Sequence, residues 1–374
     1  TRLYHCQRPD EDWIEGCAQF DVGGQSSRTR RVNEVWWAYL LVLVGTALLS
    51  AGLTSTAMRT ASLWITADLQ NLRHGLAHDL GGSSIVAAFV VAVPVTSKIR
   101  PLAGGREEIF AVVAVTVLLL VAGLVGDSRR MLPSWHLGAE IAAAVVISST
   151  GLGIALVSSD TVNLFLNILW FVAIANAFKL IDHPIGLAVG VATITCLTLF
   201  ALASTNGQVL VATLSIGLAG STAGFFIHAI HNNGVLPGDS STRTIGFLIA
   251  FLSIQVDGPV DRIEGLVNAL MPILVCSLVL FNLSWVSVAR LLARGSPAQA
   301  RQGGVSHELL AMGLGSSAIR GWSFFIAGAL GVLSYVIYRI DQAVGTLLTG
   351  LIGLAFLIGG VLLVKASLNR EHQE

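Results

Sequence analysis

Apolar residues run along this chain in long blocks, not at the 3.6- or 2-residue spacing of half-buried elements. Blocks near 35–53, 83–97, 108–126, 137–157, 162–178, 185–203, 208–231, 243–256, 264–289, 321–338 and 343–365 hold few charges. A helix needs about 20 mostly apolar residues to cross a bilayer. Backbone groups in lipid must pair within their own segment, which selects helices over open strands. The pattern predicts an all-α, polytopic membrane protein of about eleven transmembrane helices over 35–366, with polar tails at 1–34 and 367–374. Small residues gathered inside several blocks, as in Ser215–Ser221, predict close helix–helix approach.

Composition supports the same class. Charged residues make up 12% of the chain and hydrophobic residues 54%, with a mean hydropathy of +0.75. Soluble domains carry about 25% charged residues, so a water-facing surface for this chain would lack polar cover. A formal net charge of zero gives no case for nucleic acid as a partner. The four cysteines form no CxxC pair. Cys196 and Cys276 lie in apolar runs, where a thiol acts as a small hydrophobe. Cys6 and Cys17 could bridge in an oxidising compartment, which spacing alone leaves open.

The segments between blocks alternate in charge. Those at 54–82, 127–136, 179–184, 232–242 and 290–320, with the C-terminal tail, carry Arg59, Arg73, Arg129, Arg130, Lys179, Arg290, Arg294, Arg301, Arg320, Lys365 and Arg370, with Arg243 at their edge. The opposite segments carry Lys98, Arg100, Arg106, Arg262 and Arg339. The positive-inside rule places the first set, and the C-terminus, in the cytoplasm. Eleven spans then put the N-terminus outside, against the local bias of Arg28, Arg30 and Arg31.

Ionisable residues near the spans gather on the side predicted to be cytoplasmic: Asp127, His136, Lys179, Asp182, His183, His228, His231, Asp239 and His307. Solvated helix ends are the ordinary explanation of such residues taken singly. His228 and His231, three apart, could share a metal, but no further ligands stand at a matching spacing.

The segment Asn176-Ala177-Phe178-Lys179-Leu180-Ile181-Asp182-His183-Pro184-Ile185-Gly186-Leu187-Ala188-Val189-Gly190 resembles the NAFNLIDGLDGLAAG motif of the polyprenyl-phosphate N-acetylhexosamine-1-phosphate transferases. That family includes enzymes that start cell-envelope polysaccharides and the phospho-MurNAc-pentapeptide translocase. Other segments follow in the family's order. Asp68 to Gly82 is similar to the early loop DxPxxRKxHxxPxPRxGG, with Arg73, His74 or His78, and the glycine pair. Gly123-Leu124-Val125-Gly126-Asp127 resembles GLLDD, and His136-Leu137-Gly138 stands where the family has Lys-Leu-Leu-Gly. Gly224-Phe225-Phe226, Gly238-Asp239-Ser240 and Gly246-Phe247-Leu248 resemble GFLPYNFPPARIFMGDSGS and its continuation. Arg294 to Gln299, His307 and Gly313-Leu314 resemble the family's His-rich loop.

The resemblance implies transfer of a sugar-1-phosphate from a UDP-sugar to a polyprenyl phosphate, with Mg²⁺ neutralising the approaching phosphates. It implies Asp127 and Asp182 as catalytic residues, Asn176, His307 and Arg73 as substrate-binding, and Asp239 as the metal position. This chain departs from the pattern in one direction. The partner of Asp127 is Gly126, and the second aspartate of DGLDG is Ile185. Asn282 replaces the Asp of PIFD; Gly304 and Ser306 replace the first two loop histidines, and Arg301 replaces an Asp. Lys179 replaces an Asn, and Arg243 an apolar residue. Carboxylates leave and cations arrive, so Lys179 is expected to pair with Asp182, Asp127 or Asp239 and to take the metal's electrostatic place.

The expectation is a degenerate member that keeps the fold in a bacterial plasma membrane, with catalysis lost or weakened. It would serve as a subunit that binds polyprenyl-phosphate lipid or a membrane-protein partner. The alternative is an active, divergent, Mg²⁺-dependent transferase with its own UDP-sugar. A transporter is a third class, which an internal repeat would favour; the sequence displays no convincing one.

Overall fold

The computed structural model describes residues 36–64, 81–94, 106–129, 131–154, 157–181, 184–231, 236–256, 266–292, 304–340 and 342–371. Asp182, His183 and Arg73 lie outside the described residues. By backbone contacts the chain divides after Leu41, and everything below concerns the unit Val42–Glu374.

Every described element is an α-helix. In chain order they are α1 Trp36–Trp64, α2 Gly81–Pro94, α3 Arg106–Ser128, α4 Pro133–Ser149, α5 Asp160–Leu180, α6 Leu187–Thr205 and α7 Val209–His231. There follow α8 Asp239–Ile254, α9 Leu266–Val275, α10 Ser277–Leu292, α11 Val305–Ala311, α12 Ser316–Arg339 and α13 Gln342–Glu371. Seven of them (α1, α3, α5, α6, α7, α12 and α13) contain stretches long and apolar enough to cross a membrane. The other expected spans are shorter helices. The block at 264–289 is not one rod but α9 and α10, which meet at Cys276. Pro272 lies one turn earlier and can donate no backbone N–H. Hydrogen bonds run on through the junction, from Cys276 N to Pro272 O (3.0 Å) and from Leu280 N to Cys276 O (3.0 Å).

Packing is closest where glycine removes a side chain. On α7, Gly220 and Gly224 stand four apart on one face and lie against α1. A Cβ at Gly224 would fall 2.9 Å from the Cα of Ala47, and one at Gly220 3.1 Å from the carbonyl carbon of Leu43. The close approach expected from the small residues of this run is therefore present.

α8 sits at the centre. Every residue from Ser240 to Ser253 is buried, so a helix of mixed composition has no solvent or lipid face. Its apolar part packs on α5: the Phe171 and Phe247 rings stack at 4.5 Å, and a Cβ at Gly246 would lie 2.9 Å from the Cα of Ala175. Its first turn is polar, which turns the end of a packed core into a site.

Candidate functional site

Four helix ends converge: the C-terminal ends of α3 and α5 and the N-terminal ends of α4 and α8. These are the ends that the loop charges assign to one side of the membrane. Gly123 brings α3 onto α8, since a Cβ there would lie 2.7 Å from the Cβ of Ser240. One turn later Asp127 receives a hydrogen bond from the Ser240 hydroxyl on one carboxylate oxygen. Its other oxygen faces His136 Nε2 at 3.2 Å.

His136 also explains Gly126. A Cβ at that position would lie 2.7 Å from His136 Cε1 and 2.7 Å from Trp135 Cδ1. The space a side chain would need is filled by the imidazole and indole of α4. The Trp135 indole is fixed in turn by donating to the Ala122 carbonyl at 2.9 Å. Burial, and next the Arg243 guanidinium, hold His136 below its ordinary 6.5, against the opposing pull of Asp127. A neutral His136 donates Nε2–H to Asp127 in that arrangement.

Asp239 opens α8 and is half exposed. Lys179, in the last turn of α5, puts Nζ 2.7 Å from its Oδ2. The sequence left three partners open for Lys179; of the two that are described, Asp127 and Asp239, it contacts Asp239.

One turn deeper lies a residue that the motifs did not mark. Glu140 is 3% exposed and stands four residues after His136, on the same face of α4. Asn176 Nδ2 donates to its Oε2 at 2.7 Å, and Arg243 Nε approaches Oε1 at 3.8 Å. Arg243, itself 9% exposed, makes no hydrogen bond through Nε or Nη1, and Glu140 Oε1 accepts none. The pair is held by charge alone, beside a cavity of ≈ 10 Å³ lined by Leu119, Gly123, Ser240 and Thr244 among others. Glu140 was readable as a lone carboxylate inside an apolar block, but its cation lies far off in the chain.

The remaining candidates sit apart or are engaged elsewhere. Asn176 is turned to Glu140 and to its own helix, donating also to Val172 O at 2.9 Å. His307 is exposed on α11. Asn282 fills the position above Gly304, where a Cβ would lie 3.0 Å from its Cγ. It caps α11 by accepting from Val305 N at 2.9 Å. Ile185 is 37% exposed. It precedes Gly186, whose φ of +81° opens α6 in a conformation that glycine adopts without strain.

A Mg²⁺ ion takes octahedral oxygen ligands, including one or two carboxylates and the phosphates it serves. Both oxygens of Asp127 are engaged, Glu140 is buried against a guanidinium, and Asp239 carries an ammonium. Among the described residues no three His, Cys, Asp or Glu side chains are grouped to hold a metal. This donor set does not fit a divalent cation.

Comparison with known proteins agrees with the motifs. Residues 109–257 match the profile of glycosyl transferase family 4. It is 27% identical over 247 residues to a probable undecaprenyl-phosphate N-acetylglucosaminyl 1-phosphate transferase of Bacillus subtilis, covering 63% of this chain and 66% of that protein. It is 27% identical over 205 residues to the decaprenyl-phosphate N-acetylglucosaminephosphotransferase of Mycolicibacterium smegmatis, covering 49% of this chain and 50% of the other. A shorter stretch of 87 residues is 37% identical to the phospho-N-acetylmuramoyl-pentapeptide-transferase of Moorella thermoacetica, 27% of that protein's length. The chain thus spans between about a quarter and just under two thirds of these relatives.

Proposed function

We propose that this protein keeps the membrane fold of a polyprenyl-phosphate sugar-1-phosphate transferase but does not turn over. It acts instead as a subunit of cell-envelope polysaccharide synthesis that binds a polyprenyl-phosphate lipid or a membrane partner. One observation carries the reading: each described carboxylate of the site is matched by a protein cation or donor, and His136 fills the space beside Gly126. Transfer between two polyanions needs positive charge that is available to the reacting phosphates. Here the cations are committed to the protein's own carboxylates. The convergence of helix ends is the site at which a lipid phosphate would be met. The bias of loop charges supports a cytoplasmic position for that end.

The test is a transferase assay on the detergent-purified chain with polyprenyl phosphate, a panel of UDP-sugars and Mg²⁺. A parallel equilibrium measurement follows binding of radiolabelled polyprenyl phosphate. Binding without turnover is the expected result. Turnover that EDTA abolishes would overturn the reading and make the chain an active, divergent transferase using Asp127, Asp182 and Asp239.

A further inference from the structure

We propose that Lys179 is a built-in counter-ion for Asp239, and that it makes this site independent of divalent metal. The proposal takes from the functional reading only the family position of Asp239, and does not depend on whether the protein turns over.

Three features of the geometry carry it. The Lys179 ammonium lies 2.7 Å from Asp239 Oδ2, at the place where a hard cation would contact that oxygen. The pair is rooted at two packed ends: Lys179 in the last turn of α5, and Asp239 at the first residue of the central α8. Neither backbone can withdraw without disturbing the Gly246–Ala175 contact between those helices. The second donor a metal would need is also engaged. Asp127 turns one oxygen to His136 and the other to Ser240, so a cation would have to break both contacts.

The pair is partly exposed, with Lys179 at 31% and Asp239 at 49% side-chain accessibility. Exposed ion pairs hold weakly, so the pair need not resist a cation by strength. It does so by charge: among the described residues, a divalent ion entering beside a resident ammonium gains one carboxylate at most, and it meets a like charge at close range. Lys179 and Asp239 both also act electrostatically on His136. A phosphate-bearing ligand of this site is therefore met by an ammonium and not by a metal bridge.

The experiment uses the full chain in detergent and Mn²⁺ as the probe, read by the loss of its free electron-paramagnetic-resonance signal. Wild type and Lys179→Arg should bind no Mn²⁺ at this site. Lys179→Asn should gain a site, tighter than any wild-type binding by about tenfold or more. Lys179→Asn combined with Asp239→Asn should lose it again, which locates the gain. Thermal melts confirm that each variant is folded. Asp239-dependent Mn²⁺ binding by wild type, or a folded Lys179→Asn that gains nothing, would overturn the proposal. Turnover without divalent metal would instead overturn the functional reading and leave this proposal standing.

Discussion

Replacing Arg243 by methionine leaves Glu140 buried without its main counter-ion. At the observed 3.8 Å, the two charges attract by about 4 kcal/mol at an effective dielectric near 20. Desolvation of both groups opposes that gain, so the pair by itself is a poor guide to net stability. Breaking it is different, because an uncompensated buried charge costs about 3–5 kcal/mol. Two features moderate the loss here. Asn176 still donates to Oε2 at 2.7 Å, and a buried carboxylate that loses its cation can take up a proton. The lower end, about 3 kcal/mol, is expected, with a melting shift on the order of 4 °C. The assay is a thermal melt followed by a thiol-reactive dye. Cys196 and Cys276 are buried and report unfolding once Cys6 and Cys17 are replaced by serine. Adding Glu140→Gln keeps an acceptor for Asn176 and removes the stranded charge, so the double variant should recover most of the loss. An Arg243→Met protein that melts with the wild type, or a double variant no better than the single, would refute the account of this pair.

Three further outcomes are expected. Gly126→Asp should destabilise the protein by roughly 1–3 kcal/mol, because its Cβ would meet His136 and Trp135 at 2.7 Å, and His136→Ala in the same chain should relieve part of that cost in the melt. Stability should decline as pH falls below about 6.5: the depressed His136 binds its proton more weakly folded than unfolded, and His136→Asn should flatten that slope in melts taken between pH 5 and pH 8. Gly224→Leu should separate α7 from α1 and lower the melting temperature, whereas Gly353→Leu on α13, where a Cβ would meet nothing within 4 Å, should have little effect.

What the sequence could reveal depended on the range of each signal. Block hydrophobicity is local, and each expected span coincides with a helix or, at 264–289, with a pair of helices that meet at Cys276. The family motifs are also local, and they brought Asp127, Lys179, Asp239 and Arg243 to notice. Their pairing was not local. Lys179 could have turned to three carboxylates, and its contact with Asp239 follows from the meeting of α5 with the first residue of α8. Glu140 escaped because a single carboxylate in an apolar block says nothing of a guanidinium that arrives from another helix. The role expected of Asn176 changed for the same reason, since its amide faces Glu140. The space beside Gly126 needed coordinates, because the side chain that fills it comes from the next helix.

The central position of α8 also bears on how the chain is made. Glu140 enters the membrane with α4, whereas its cation stands in α8, about a hundred residues later. At about 5–20 residues per second of synthesis, the nascent bundle holds that carboxylate against Asn176, without Arg243, for roughly 3–13 s. α8 is not among the long apolar helices, and a guanidinium in a lone helix is costly to insert, by about 2.5–3.5 kcal/mol at the centre and less near the end, where Arg243 stands. Its entry is therefore templated by helices already in place, and the bundle closes only when α8 does. Ribosome-released fragments that end before Arg243 should be recognised by membrane quality-control proteases and cleared, while fragments that end just after α8 should persist.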